Sequence, residues 1–334
     1  MAVVKSQMLN ANEVYQQTLL KAVKYNSVFE QKGLVLGTNI TGHEYVRWFR
    51  VNRVAPGDPG DQELGEGVNP TETAMSIEKV TGTIKWYGAF TKVTSAARQI
   101  DPVKATAQFT KVMGEMARET RENIIRDEYL SNSTNIRNAS GAAAVTSINA
   151  TVSEADLRNM FRTMEKAGAE KITQIVKAGA GNNTYPIEAC YLLYVTPDQA
   201  MDIRALTNFK KTAEYSNPDV AFEGEIGACQ GWRIISTNLL TASVLPGSAA
   251  AGGTSVTGHQ TTDGSHCDVH RAIGIGKEAL GVANLDGGIQ SIVKSEEQIG
   301  GALNQYSTTG YKMAMCAETF NSNWVIIYRT AVSS

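Results

Sequence analysis

Three short clusters in this 334-residue sequence carry residue types that do chemistry. Gly274-Ile275-Gly276-Lys277 has glycines that let backbone amides approach a phosphate and a lysine that adds charge. A phosphate loop needs GxxxxGK followed by Ser or Thr, and here Glu278 follows Lys277 and would repel the ligand. The spacing instead predicts a strand in which glycine permits close backbone approach. His266-Cys267-x-x-His270, with His259 upstream, offers metal-ligand types. Structural zinc sites use two separated ligand pairs, and no second Cys/His pair exists, so this cluster reads as a surface loop entering a strand. For hydrolysis there is no GxSxG and no HExxH, and a triad would have to draw its base from His43 or from the 259–270 cluster. Glu296-Glu297 and Glu63 with Glu66 are most simply solvated faces or partners for Lys and Arg on another subunit. The expectation is a chain with no catalytic residues, no cofactor and no metal, and therefore not an enzyme.

Bulk properties exclude further classes. Lys plus Arg total 31 against 33 Asp plus Glu, a formal net charge of −2, so no global positive field attracts nucleic acid or an anionic membrane. No basic reading helix, zinc finger or aromatic RNP strand occurs, and any contact with DNA should be sparse and non-specific. No stretch reaches the roughly 18 apolar residues of a membrane-spanning helix. Cys190, Cys229, Cys267 and Cys316 are dispersed without a CxxC pair, and no signal-like segment opens the chain, which predicts reduced thiols in a cytosol. A hydrophobic content of 42% suffices for one large or two ordinary domains.

The elements that would position these residues follow from periodicity and punctuation. Residues 6–31 show a loose helical pattern through Val14, Leu19, Leu20, Val23 and Val28 that lacks a wide apolar face. They fit equally an arm packed on a neighbour and a first helix on the chain's own domain. A strand candidate, HEYVRWFRVNRV, is broken by Ala55-Pro56-Gly57-Asp58-Pro59-Gly60, and a second long strand spans Ala74–Ser95. Together they form a hairpin-like excursion that, as a two-stranded ribbon, must lie against another surface. Asp101-Pro102 opens a helix running to about Leu130, roughly 40 Å at 1.5 Å per residue, with Phe109, Val112, Met113, Met116, Ala117, Thr120 and Ile124 as its apolar stripe. Residues 131–152 read as a loop or paired-strand connection, and Ser153 caps a second helix ending near Gly168. Cys190–Val195 and GWRIISTN are buried strands around a helix that starts at Thr196-Pro197-Asp198, while Leu245–Gly264 is low-complexity and expected to be mobile. Trp48, Trp86, Trp232 and Trp324 all sit in apolar strand candidates and are expected in the core. The final NWVIIYRTA should be a core strand held by something much earlier in the chain.

The segments FEGEIGACQGWRIISTN (Phe222–Asn238), GIGKEALGVANL and GYKMAMCAETFNSNWVIIYRTA resemble the closing half of the major capsid proteins of tailed bacteriophages, of the schitovirus-type coat family. The resemblance covers nearly the whole chain in order. It implies an α+β, Hong Kong phage-type (Johnson) capsid fold: an N-arm over 1–44, an E-loop hairpin with flanking P-domain strands over 45–95, the P-domain with a long spine helix over 96–151, an inserted A-domain over 152–265, and return strands over 266–334. It further implies a coat protein of a double-stranded DNA phage, self-assembling into hexamers and pentamers of an icosahedral virion capsid after synthesis in the bacterial host cytoplasm. The implied partners are copies of itself, a portal, scaffolding or decoration proteins, and packaged DNA, with no membrane. Candidate inter-subunit residues are Pro56, Asp58, Asp61, Glu63, Glu66 and Asn69 in the excursion's tip. An encapsulin-like compartment shell and an α+β small-molecule enzyme are the alternatives.

Overall fold

The computed structural model describes residues 28–30, 35–51, 63, 66–67, 74–95, 105–132, 134–172, 188–215, 221–249, 259–262, 266–299, 303 and 305–334. In chain order the elements are β1 (Val35–Ile40), β2 (Tyr45–Val51), β3 (Ile77–Thr83), β4 (Lys85–Thr94), α1 (Ala105–Ser131), β5 (Ile136–Asn138), α2 (Glu154–Lys166), β6 (Tyr191–Val195), α3 (Pro197–Arg204), β7 (Lys210–Lys211), β8 (Glu225–Cys229) and β9 (Trp232–Ser236). There follow β10 (Leu245–Ala249), β11 (His266–Ile275), β12 (Leu280–Lys294), the short α4 (Glu296–Ile299), β13 (Tyr306–Thr319) and β14 (Val325–Ala331).

Three sheets result. A four-stranded sheet has the order β1-β12-β13-β4, a larger one runs β5-β14-β11-β6-β9-β8-β7 with β10 added on β11, and among the described residues β2 pairs only with β3. The closing strand is clamped as its composition requires: β14 is entirely buried but for Arg329, lies antiparallel to β11 and pairs in parallel with β5, nearly two hundred residues earlier. Two cores use opposite faces of the larger sheet. On one face Leu192, Tyr194, Ile235, Ile273, Ile275 and Val325 pack with α1 and with Tyr311, Met313 and Met315 of the four-stranded sheet. On the other, Tyr191, Leu193, Val195, Trp232 and Ile234 pack with Leu157, Met160 and Met164 of α2 and with Ala200 and Ile203 of α3.

Local sequence explains the helices. Ser153 Oγ accepts the Asp156 N–H, and Thr196 with Gln199 forms a capping box behind Pro197. The 27-residue α1 has the expected length, and its proposed start at Asp101-Pro102 lies outside the described residues. Its buried face differs from the expected stripe. Thr110, Ala117, Arg121, Glu122, Ile125 and Tyr129 are buried, whereas Phe109, Val112 and Met116 are 38%, 56% and 44% exposed. At 100° per residue the buried face is rotated by roughly a third of a turn from the one that hydrophobicity alone selects. Buried polar pairing causes this: Arg121 binds Glu30 and donates to Asn284 Oδ1 at 2.9 Å, and Glu122 accepts the Phe29 N–H at 2.9 Å.

Three further expectations are corrected. The strand predicted over Ala74–Ser95 is two strands separated at Ile84 and placed in different sheets. The start of the low-complexity stretch at Leu245 is β10, antiparallel to β11, and His259 forms a bridge with Ser333; residues 250–258 and 263–265 lie outside the described ones. Trp86 is 58% exposed rather than in the core, while Trp232 is fully buried.

Asp156 ties the α2 start to the closing strand. Its carboxylate accepts from Ser140 N–H (2.9 Å), Ser153 Oγ (2.9 Å), Arg137 Nη2 (2.8 Å) and Tyr328 OH (3.2 Å). Burial alone would raise its pKa, but the hydrogen bonds from Ser140, Arg137 and Ser153 together hold it below the ordinary value. Because the folded-state pKa is depressed, the stabilisation is full above the unfolded pKa of about 4 and is lost as pH falls through the folded value. Asp156→Asn should cost about 2–3 kcal/mol in unassembled subunits at pH 7. Urea unfolding should show the gap between wild type and variant narrowing as pH drops below about 4.

Candidate functional site

The β2–β3 ribbon is the feature that the fold leaves incomplete. Its register runs from Tyr45 opposite Thr83 to Val51 opposite Ile77. Strand alternation divides it into two faces. On the even-numbered face, Val46 and Ile84 join Ala283, Ala314 and Cys316 in a small buried cluster, and Trp48 meets Phe320 edge-on with ring centroids 5.1 Å apart. Arg50 Nη1 donates to Phe320 O at 3.1 Å. Gly82 is required there, since a Cβ would sit 2.9 Å from Cys316 Sγ and 3.0 Å from both Glu318 and Trp48. The excursion was expected to lie against another surface, and its proximal half finds that surface on the chain's own sheet.

Among the described residues the odd-numbered face has no such cover. Tyr45, Phe49, Val51 and Ile77 are 59%, 64%, 63% and 61% exposed, and Met75 just beyond is 78% exposed. Sequence reading missed this face, although the signal was present: in YVRWFRV the apolar residues occupy both parities, which a ribbon facing water on one side does not need. Of the six residues proposed for contacts, Glu63 and Glu66 are exposed, and Pro56, Asp58, Asp61 and Asn69 lie outside the described residues.

A second surface complements the first in charge. Across the four-stranded sheet, Phe90 is level with Gly310 and Ile292, and Gly88 with Lys312 and Gln290. Alternation then puts Trp86, Phe90 and Lys92 of β4, Tyr306 and Lys312 of β13, and Ile292 and Lys294 of β12 on the face turned away from α1. Phe90 is 67% exposed and Ile292 41%. Lys312 Nζ sits 4.2 Å above the Trp86 ring and Lys92 Nζ 5.0 Å above Tyr306. The strand residues of this patch include no carboxylate, and the nearest acids in sequence are Glu296 and Glu297 of α4. Residues 54–77, by contrast, carry five acids, Asp58, Asp61, Glu63, Glu66 and Glu72, and no Lys or Arg.

The clusters with catalytic residue types are structural. His266 and His270 share a parity on β11 and Cys267 has the other, so the three point to opposite sides of the sheet. Cys267 Sγ donates to Ile148 O, and buried His270 Nδ1 lies 2.9 Å from Thr196 Oγ1. Burial lowers the His270 pKa and favours the neutral ring, with Asp198, Asp268 and Asp202 opposing that shift. Among the described residues no three His, Cys, Asp or Glu side chains group as a metal site. Gly274 packs on Trp232, where a Cβ would come within 2.8 Å of the ring, and Lys277 pairs with Glu170 at 3.3 Å, so GIGK is a packed strand end. All four cysteines are free and buried, and burial pushes the Cys190 thiol to about 11 and Cys229 to about 12.

A family model described as phage capsid protein matches residues 77–312. No curated protein matches the sequence. Among solved structures, the chain is similar to the capsid of Ralstonia phage GP4, at a TM-score of 0.64 and 12% identity over 92% of each chain. It is similar also to the capsid of the cyanophage P-SCSP1u, at 0.59 and 13% over 92% of this chain and 89% of that one. A third is the cyanophage Pam1 capsid asymmetric unit, at 0.59 and 13% over 87% and 86%. Identities this low show a common fold.

The two ribbon faces should separate in mutagenesis. Trp48→Ala, which empties the contact with Phe320, is expected to lower subunit stability by about 2–3 kcal/mol. Phe49→Ala, one residue away on the open face, should change it by no more than about 0.5 kcal/mol. Chemical denaturation of unassembled subunits measures both, and equal costs would contradict the assignment of faces.

Proposed function

The chain belongs to the phage capsid protein family, and from that premise we propose how this member, a major capsid protein with the Hong Kong phage capsid fold, builds its shell. The observation that carries the reading is the bare odd-numbered face of the β2–β3 ribbon: four large apolar side chains, each more than half exposed, on an element whose other face is already packed. Such a patch marks an interaction site. In the proposed assembly it is covered by a neighbouring copy, and residues 45–95 act as the E-loop with its flanking P-domain strands. Residues 1–44 are then the N-arm, 96–151 the P-domain with its spine helix, 152–265 the A-domain and 266–334 the return strands.

The charge pattern supports a contact in trans. β3 continues the line of β4 out of the four-stranded sheet, with Gly82 beside Cys316 and Glu318 and Arg50 beside Phe320. The lysine patch lies in the opposite direction along β13, and Phe320 and Thr308 are about 40 Å apart at roughly 3.3 Å per residue. The ribbon therefore leaves the sheet at the end remote from the lysine patch. A contact between unlike ends of two copies is heterologous, and heterologous contacts close into rings when the rotation permits. Hexamers and pentamers of an icosahedral shell are such rings. Pro56, Asp58, Asp61, Glu63, Glu66 and Asn69 would lie in this contact, with the four carboxylates facing lysines.

The role is structural, and the shell is proposed to enclose double-stranded DNA through sparse, non-specific contacts, with a portal and scaffolding or decoration proteins as further partners and the host cytoplasm as the place of assembly. The match to phage capsid proteins supports a genome shell over the cargo compartment weighed from the sequence.

Deleting residues 56–69 should leave a subunit that folds, with unfolding cooperativity unchanged, but that forms no closed particles by electron microscopy. Phe49→Asp combined with Val51→Asp should do the same through the apolar face alone. Normal particles from either variant would reject the ribbon as the principal contact. Assembly should also weaken as salt rises from about 0.05 to 0.5 M, because the screening length for exposed charge pairs falls from about 14 Å to about 4 Å across that range.

A further inference from the structure

Two arginines face each other across the larger sheet. Arg271 of β11 and Arg329 of β14 are direct cross-strand partners, which sets their Cβ atoms about 4.5–5.5 Å apart. Like charges directly opposite destabilise a strand pair. Both side chains are half-buried. Alternation from Ile273, Ile275 and Val325 puts the two arginines on the face that packs with α1. A third guanidinium reaches that face from the helix: Arg126 Nη1 donates to Leu239 O at 2.8 Å, and Leu239 packs against the same core.

Arg329 is the group whose charge nothing on its own chain answers. Burial lowers its pKa, and no carboxylate acts in the opposite direction. Its Nε is buried without a hydrogen-bond partner. For Arg271, burial, then Arg329, then Arg126 lower the pKa, with Asp127 opposing. Asp127 is itself engaged by Arg126, whose Nη2 and Nε lie 2.7 and 2.9 Å from its Oδ1, and its side chain is 64% exposed. A half-buried cation without an acid is costly, and a second cation placed directly opposite adds to the cost. An anion from outside the chain would relieve both. The planar guanidinium meets oxyanions as a two-pronged fork. One fork suffices for a carboxylate, whereas phosphate oxygens accept from several directions and can meet forks from two strands.

We infer that Arg271 and Arg329 form a phosphate-binding site on the α1 face of the larger sheet, with Arg126 adding positive charge at its edge. Arg126 already donates to Asp127, Asn123 and Leu239, so it strengthens the field more than it adds bonds. The phosphate is either free or part of a nucleic-acid backbone. The backbone source rests on the reading of a genome shell; the site and the free source do not.

Unassembled subunits are melted at pH 7 in about 20 mM sodium phosphate and in sodium chloride of the same ionic strength. If phosphate is then at about ten times its Kd, the wild-type Tm should be about 2–4 °C higher in phosphate. Arg329→Gln and Arg271→Gln should each lose most of that difference, and Arg329→Lys, which keeps the charge but not the fork, should retain part of it. The two Gln variants are independent, so failure of one to fold leaves the other to decide. A duplex of about 20 base pairs, followed by fluorescence anisotropy, forms the second arm. Weaker binding by the Gln variants, with the slope of log K against log salt reduced by about 1, would assign the site to backbone phosphate. A phosphate effect on Tm without a change in duplex binding would assign it to free phosphate. No phosphate-specific rise in the wild type, or a rise of equal size in both Gln variants, would overturn the inference. Shell formation is not read in either arm, so the outcome is separate from that of the assembly reading.

Discussion

A two-stranded ribbon has two faces, and the described residues of this chain supply cover for one. That constraint follows from the period-2 alternation of a strand and from a single break at Ile84, where β3 gives way to β4. In β3 the even-numbered residues face the chain's own body; in β4 the odd-numbered Tyr87, Ala89 and Val93 do. A one-residue change of phase lets the same stretch of chain be an edge strand of a packed sheet and then leave it as a projecting ribbon. The Ile84 side chain is buried at the crossing, and its N–H is held by Glu44 O at 3.0 Å, so the change of direction is fixed. Distal to Ile84, the odd-numbered face presents apolar side chains that no further part of the described chain covers.

The projecting element is useful only if its base is rigid, and the core explains that rigidity. The larger sheet is buried on both faces, so strands β6 and β14 read as near-continuous apolar runs, and both cores lock to it. β4 and β13 pair over ten residues and carry the ribbon on their extension. A lever anchored this way transmits the position of its tip without bending at the root, which a repeated contact between identical subunits needs if every copy is to meet its neighbour at the same angle.

Much of this was legible in the sequence, and the misses have physical causes. Caps and turns were readable because they are local: Ser153 with Asp156, and Thr196-Pro197 with Gln199, specify helix starts from three or four residues. The closing strand was readable because NWVIIYRTA is too apolar to be a tail. The buried face of α1 was not, because Arg121 and Glu122 enter the interior only by meeting Glu30, Asn284 and the Phe29 N–H, partners far away in sequence. The break at Ile84 was invisible for a related reason. Residues on either side alternate as one strand would, and only the competition between Cys316 with Phe320 on one side and α1 on the other decides which parity faces inward. The metal-like cluster failed on alternation alone: two histidines four apart on a strand share a side, and the cysteine between them does not.

The net charge of −2 conceals the segregation on which the proposed head-to-tail contact rests. A chain with acids and lysines evenly mixed would attract its copies in many orientations. In the proposed assembly, gathering five acids on one stretch of sequence and lysines on a separate sheet face favours one head-to-tail orientation and repels like ends. Exposed charge pairs contribute little individually, about 0–1 kcal/mol, so charge selects the orientation while the apolar ribbon face supplies most of the attraction. Four side chains already partly covered in the free subunit would each yield on the order of 1 kcal/mol on burial. A single contact of this strength forms and breaks readily. An open row of n subunits has one contact fewer than a closed ring of n, so closure adds a contact without the cost of bringing in another subunit, and errors can dissociate before closure while completed rings persist. Weak, directional, repeated contacts are therefore better suited to a closed container than one strong interface would be, and a ribbon with a single uncovered face is a direct way to obtain them.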